Sequence, residues 1–466
     1  MIRAACAWSG RDRDLETVKA YYRSSEVRRR IAEYCGGVPG NAQSFSAHML
    51  AGFGGTDHLR TREGAPVQLA LSAMAGLLHE GADICRSLGD RTGTLLVFDI
   101  DYANPDDPFE PYRDPARTFE ALEPVLTAAR RILTAFGVPI LTLMTGRGYH
   151  LVAKAPVGGP FDESLVRLGA PDHEDQFRNL EDDQSRRAEA AHSGMGRLMQ
   201  FLAHETMRAC LDAVRVPIRL IDAPPVERGP FICLDLSAYG DPLRARTVRC
   251  AFSVNQKARG IAEGASAGIV AVLPRFAESI ETMLAVRSDP RSAADWAIDH
   301  SCAVPEVEGA NAWLAAYQGS RLARFHRYCD DESHESESIR DRGSELKWPD
   351  CVLFPLNRPN DPLLTPGWIR SVALTLWARG FHPSRIARLI ASRYAEPHGW
   401  GDYWDRYDRE TRARFYVRAA CGAIADELED WSAFTCESQR SQGFCTGGGC
   451  GVDLSRIGPR TGKGMP

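Results

Sequence analysis

Two apolar periods alternate along the first part of the chain, and each switch marks an element. Thr94-Leu95-Leu96-Val97-Phe98 reads as a short buried strand running into Asp99-Ile100-Asp101. Pro105, Pro108, Pro111 and Pro115 then interrupt regular structure. Phe119, Leu122, Leu126, Ala129 and Leu133 follow at the spacing of one buried helical face. A second strand, "PILTLM", leads into the turn Thr145-Gly146-Arg147-Gly148, and "YHLVA" resumes as a strand. Neighbouring core strands would bring Asp99, Asp101 and His150 together.

The pattern changes twice more. After about residue 280 a mixed helical connector ends in the polar run "CDDESHESESIRDRGSE", which has the charge and serine content of a solvated linker. From about Leu346 helical periods return. Ile369, Val372, Ala373 and Leu376 face inward on one helix, which Gly380 ends. Ile386, Leu389 and Ile390 line another that starts near Ser384. The expected organisation is therefore 1–280, a connector and linker at 281–345, a helical region at 346–455 and a flexible tail at 456–466, with no internal repeat.

In Asp99-Ile100-Asp101 the carboxylates stand two apart on a strand and project from one face. Such a pair repels unless a cation lies between, which is how Mg²⁺ or Mn²⁺ is held against nucleotide phosphates. Taken alone, the pattern also fits a surface turn or a helix cap. The glycines around Arg147 permit a tight turn and close approach to a phosphate, while Arg147 and His150 bring donors. A plain hairpin turn with a satisfied histidine is the simpler alternative. Further on, "PFICLD" ends at Asp235, as the earlier strand ends at Asp99. Arg249, Ala251, Ser253, Asn255 and Lys257 alternate along "VRCAFSVNQK" and would share one face of an extended segment, most of it able to bind anions.

Composition alters this picture in two places. Only five of the 56 basic residues are lysines (Lys19, Lys154, Lys257, Lys347 and Lys463), so composition alone does not account for a lysine inside a motif. The net charge of −5 argues against a basic nucleic-acid coat, yet leaves room for local basic grooves beside acidic metal sites. No apolar run approaches the roughly 18 residues of a membrane span, and no signal-peptide core opens the chain, so a cytoplasmic protein is expected.

The order "FDID", "TGRGYH", then "LD" followed by "FSVNQK" resembles the archaeo-eukaryotic primase superfamily, over roughly Tyr21 to Lys257. "YYRSSEVRRRIAEYCGG" likewise resembles the opening helix of primase small subunits. The resemblance implies an α+β chain: a primase catalytic fold, with an RRM-like antiparallel or mixed sheet and flanking helices, followed by a mostly helical cysteine-ligated domain. It implies that Asp99, Asp101 and Asp235 hold the catalytic Mg²⁺ or Mn²⁺, and that Arg147, His150, Arg249, Ser253, Asn255 and Lys257 contact the incoming triphosphate. This chain departs from the family in carrying Asn255 where histidine is usual. The zinc-binding cluster of many small subunits is also not evident between the motifs. The implied activity is primer synthesis on a single-stranded DNA template from NTPs or dNTPs, with a replicative helicase or accessory protein as a further partner.

Thirteen cysteines in a reducing compartment are not expected to form disulfides. Cys6, Cys35, Cys85 and Cys302 are scattered and read as small core residues. By contrast, Cys436, Cys445 and Cys450 crowd a glycine-rich stretch, and with Cys351 they make four thiolates. Such a set suits tetrahedral Zn²⁺ or a four-cysteine iron–sulfur cluster, with Cys421 in reserve. One remote cysteine followed by three late ones resembles the iron–sulfur domain of primase large subunits, which implies a 4Fe–4S cluster, although Cys445 and Cys450 stand closer than is typical there. Trp368, Arg370, Trp377, Arg379, Trp400, Tyr403, Trp404, Arg406 and Tyr407 could stack bases and hold phosphates, or simply pack a core. Competing readings are a gap-filling or end-joining polymerase of the same superfamily, a non-catalytic nucleic-acid-binding replication factor and an iron–sulfur redox enzyme. No G-x-G-x-x-G follows a strand to support the last.

Overall fold

The computed structural model describes residues 12–41, 44–52, 74–170, 183–220, 228–243, 246–256, 268–274, 279–331, 348–357, 366–394, 408–431, 434–445, 447 and 449–456. Two short helices come first, α1 (Asp12–Tyr21) and α2 (Ser25–Tyr34), the second capped by Ser24, whose side chain accepts from Val27 N. Strand β1 (Ala47–Gly52), helix α3 (Met74–His79) and strand β2 (Asp83–Asp90) follow. The apolar run before Asp99 forms the eleven-residue β3 (Gly93–Ala103). After the prolines come α4 (Glu110–Arg113) and α5 (Pro115–Ala135). Asp114 caps α5 by accepting from Arg117 N, and Phe119, Leu122, Leu126, Ala129 and Leu133 are all buried along it, as the periodicity predicts.

Strands β4 (Leu141–Met144) and β5 (Gly148–Pro156) form as expected, and α6 (Pro160–Gly169) and the 28-residue α7 (Asp183–Cys210) pack together beneath the sheet. Strands β6 (Ile218–Arg219), β7 (Phe231–Asp235), β8 (Thr247–Arg249), β9 (Val254–Asn255), β10 (Gly268–Ile269) and β11 (Ala271–Leu273) complete the strand set among the described residues. Helices α8 (Ile280–Ser288), α9 (Pro290–Asp299), α10 (Asn311–Gly319) and α11 (Arg321–Asp330) cover the predicted connector. The late helices are α12 (Asp350–Asn357), α13 (Pro366–Ala378), α14 (Pro383–Tyr394), α15 (Arg409–Ala425) and α16 (Cys436–Ser441). Most of the polar linker and the tail lie outside the described residues. No helix among the described residues is long and apolar enough to cross a membrane.

The chain is thus α+β, and its described residues form a nine-stranded mixed sheet ordered β1-β2-β3-β5-β4-β11 and branched in its middle, beside a two-stranded sheet of β9 and β10. The branch has a simple cause. Strands β2 and β3 form a hairpin but pair only at Gly89–Thr94 and Asp90–Gly93. Below that they diverge and take different partners, β8 on β2 and β7 on β3. All these pairings are antiparallel, and β6 adds to β7 in parallel.

One sequence expectation fails here. "VRCAFSVNQK" is not a single extended face, because the chain folds back at Cys250–Ser253, with Phe252 at φ 61 and Ser253 N donating to Cys250 O. Burial of the Phe252 ring drives that turn, and its N–H is taken by Val270 O. The strand pattern is therefore split between β8 and β9.

Candidate active site

Alternation along β3 buries Phe98, Ile100 and Tyr102 on one face and leaves Asp99 and Asp101 half-buried on the other. Register does the rest. Asp99 stands opposite His150 of β5 on one edge of β3 and opposite Asp235 of β7 on the other. Directly paired residues share a face, so three groups far apart in sequence meet. They line a cavity of about 290 Å³ in the fork between β2 and β3. Arg147, Arg246, Arg249, Asn255, Tyr112 and the backbone of Gly146 line the same cavity.

The Thr145–Gly148 turn is held closely. Thr145 N donates to Gly148 O at 2.8 Å, and Tyr102 N donates to Arg147 O at 3.0 Å. At Gly148 a Cβ would stand 1.9 Å from Ile100 O, so only glycine allows β5 this near β3. Arg147 sends Nε and Nη2 to the same oxygen, Asp101 Oδ2, at 2.9 and 2.7 Å. His150 Nε2 lies 3.5 Å from Asp99 Oδ1, and that buried oxygen makes no hydrogen bond of ordinary geometry. Burial, then the Asp101 and Asp235 carboxylates, push the Asp99 carboxyl up to about 6, against the pull of His150. Burial works against the His150 cation, yet Asp99 and then Asp101 raise its pKa above the ordinary histidine value. Asp235 Oδ1 accepts from Ser237 N at 2.8 Å, which holds the end of β7.

On the opposite wall Arg249 is fixed by a residue that the sequence did not single out. Its Nη1 donates to Asp83 Oδ2 at 2.5 Å and to Val254 O at 3.3 Å. Asp83 is buried and also accepts from Gln256 N and Gln256 Nε2, at 3.0 and 2.9 Å. Burial raises its pKa, while Arg249 and Gln256 oppose the rise. Ser253 is not at the wall. It is fully buried beneath the turn, its Oγ accepting from Ile84 N at 2.7 Å and donating to Val254 O at 3.1 Å. Lys257 lies outside the described residues. Tyr112 and Asp83 carry no local signal that could have marked them: one sits among prolines, the other merely opens a strand.

The donor set fits a divalent cation: three carboxylates on adjacent strands, one with an orphaned oxygen. Yet among the described residues no group of three or more His, Cys, Asp or Glu side chains stands ready-spaced around an ion. Arg147 occupies Asp101 instead.

Cys351, Cys436, Cys445 and Cys450 gather at the base of the late helices. Burial first, and then Cys445, Cys436 and Cys450, push the Cys351 thiol up to about 12. Cys436 Sγ donates to Val452 O at 3.4 Å and accepts from Leu454 N at 3.3 Å. Cys450 Sγ reaches Val452 O at 3.8 Å. Four neighbouring thiols suit a soft metal centre in kind. Cys421, Cys35, Cys85 and Cys302 are buried in the core, and Cys6 lies outside the described residues. Of the late aromatic and basic residues, Trp368 and Trp377 are buried, whereas Trp400, Tyr403, Trp404, Arg406 and Tyr407 lie outside the described residues. No protein-family model matches this sequence, and no curated protein matches it.

Proposed function

We propose that this chain is a template-directed nucleotidyltransferase, a DNA primase or primase-polymerase that builds short primers on single-stranded DNA. The observation that carries this reading is the register across β5, β3 and β7. It sets Asp99 between His150 and Asp235 at the wall of a cavity that also holds Asp101, Arg147, Arg249 and Asn255. The α+β architecture and the branched sheet support a primase-type catalytic fold.

Asp99, Asp101 and Asp235 would hold Mg²⁺ or Mn²⁺, which when bound neutralises phosphate charge and eases ionisation of a hydroxyl. Arg147 exchanges the Asp101 carboxylate for a phosphate oxygen and stays ion-paired throughout. His150, its proton held by the Asp99 carboxylate, donates to the same triphosphate. Arg249 arrives pre-aimed by Asp83, and Asn255 adds an uncharged donor. No covalent nucleophile is needed, since positioning and electrostatics suffice for phosphoryl transfer. The four thiols would carry a 4Fe–4S cluster, or Zn²⁺ in its place, and the helices around them would grip the template.

The test is synthesis from labelled nucleotides on unprimed single-stranded DNA with Mg²⁺ or Mn²⁺. Short products that disappear in the Asp99→Ala/Asp101→Ala double variant are expected. Extension from a primed template alone would assign a gap-filling polymerase, and no incorporation on either template would overturn the reading.

A further inference from the structure

Behind the Thr145–Gly148 turn sits a cation that no sequence motif contains. Arg287 of α8 is buried, and its guanidinium lies 5.8 Å from the Phe119 ring centre. Its Nε donates to Thr145 O at 3.0 Å and its Nη2 to Gly146 O at 2.5 Å. In a trans peptide the N–H points opposite to the C=O. The N–H groups of Gly146 and Arg147 therefore point away from Arg287, on the turn that lines the cavity. Neither amide donates a hydrogen bond within the described residues.

The other cations at this cavity each have a carboxylate. Arg147 has Asp101, His150 has Asp99, Arg249 has Asp83 and Arg246 has Asp241. Among the described residues Arg287 has none: its contacts are two carbonyls and an aromatic face. Burial lowers its pKa, with only the nearby Tyr112 hydroxyl opposing. A guanidinium removed from water without an anion is costly, and in a poorly solvated position its field on whatever lies across the turn is screened less than it would be in water.

We propose that Arg287 is a positioning residue and a built-in counter-charge for a polyphosphate. It draws the Thr145 and Gly146 carbonyls back, so that the two free amides and Arg147 form an anion cradle, and its own charge is balanced only when phosphate seats there. The proposal rests on the nucleoside-triphosphate reading of this cavity.

A neighbouring glycine permits a test that leaves Arg287 in place. A Cβ at Gly268 would stand 3.4 Å from Arg287 Cζ and Nη2. Gly268→Asp therefore sets a carboxylate beside the guanidinium, and Gly268→Asn sets the same shape without charge. Binding of inorganic tripolyphosphate, and of a nucleoside triphosphate with Mg²⁺, is measured calorimetrically on the full chain. Gly268→Asp is expected to raise the melting temperature of the ligand-free protein and to weaken both ligands about tenfold, while Gly268→Asn does neither. In parallel, Arg287→Lys keeps the charge and should bind within about threefold of wild type, whereas Arg287→Gln keeps a donor and should bind at least about tenfold more weakly. Equal losses for Lys and Gln, or equal effects of Asp and Asn, would reduce Arg287 to a plain brace and overturn the proposal. Failure of the wild-type chain to bind either probe would remove the triphosphate reading itself, a separate and recognisable outcome.

Discussion

At Asp99 two demands oppose one another. The strand buries the carboxyl beside two others, while His150 offers only a long contact at 3.5 Å. Its folded pKa of about 6 lies above the ordinary carboxylate value of about 3.9. The folded state consequently binds more protons than the unfolded one across that interval, and stability falls as pH rises through it. The raised His150 acts in the same direction at its own, higher range. Without divalent cations, Asp99→Asn should therefore melt higher than wild type above neutrality and match it near the acid end of the interval. Added Mg²⁺ should raise the wild-type melting temperature and leave the variant nearly unmoved. Scanning calorimetry across the pH range checks this, and a variant that tracks wild type at every pH would refute it. The acidic pair itself was legible from its spacing. The depth of its burial was not, because that depends on which strands flank β3.

At the scale of elements, the hairpin fork between β2 and β3 makes the cavity, and the buried Cys250–Ser253 turn joins two of its lining residues, Arg249 and Asn255. Alternation of polar residues predicts a continuous strand there. The structure breaks it, since burying Phe252 outweighs strand continuity and the residue accepts a positive φ. Ser253 turns inward as a result and serves the backbone of β2 and β9. Asp83 then becomes the anchor of the whole segment, holding both Arg249 and Gln256. Asp83→Ala leaves a nearly buried guanidinium without its anion, which should cost about 3–5 kcal/mol, read as a lowered urea midpoint. Triphosphate affinity should fall with it, whereas a distant surface substitution such as Glu163→Gln should change neither.

At the scale of the whole molecule, one hydrophobic core among the described residues runs from the sheet into the late helices. Buried polar links cross the same boundary. His204 Nδ1 meets Asp426 Oδ2 at 2.8 Å and Arg412 of α15 reaches Asp241 at 3.0 Å, while Arg197 of α7 pairs with Asp330 of the connector helix α11. Asp241 also pairs with Arg246 at the cavity wall, so the cysteine-bearing region is continuous with the candidate site. Protein prepared without oxygen should carry iron and inorganic sulfide. Cys436→Ser should lower the iron, and Cys421→Ser, a core change, should retain it; elemental analysis showing zinc in place of iron would reverse the assignment. The sequence by itself determined the local geometry: same-face carboxylates two apart, glycines flanking Arg147, helical faces, and thiols grouped near the end. These follow from strand and helix periods, which act within a few residues. The tertiary structure alone decided which distant groups meet. Arg249 finds Asp83 across 166 positions and Arg287 finds Thr145 across 142, and no local period carries such pairings. Strand register and burial set them, through the packing of the entire core.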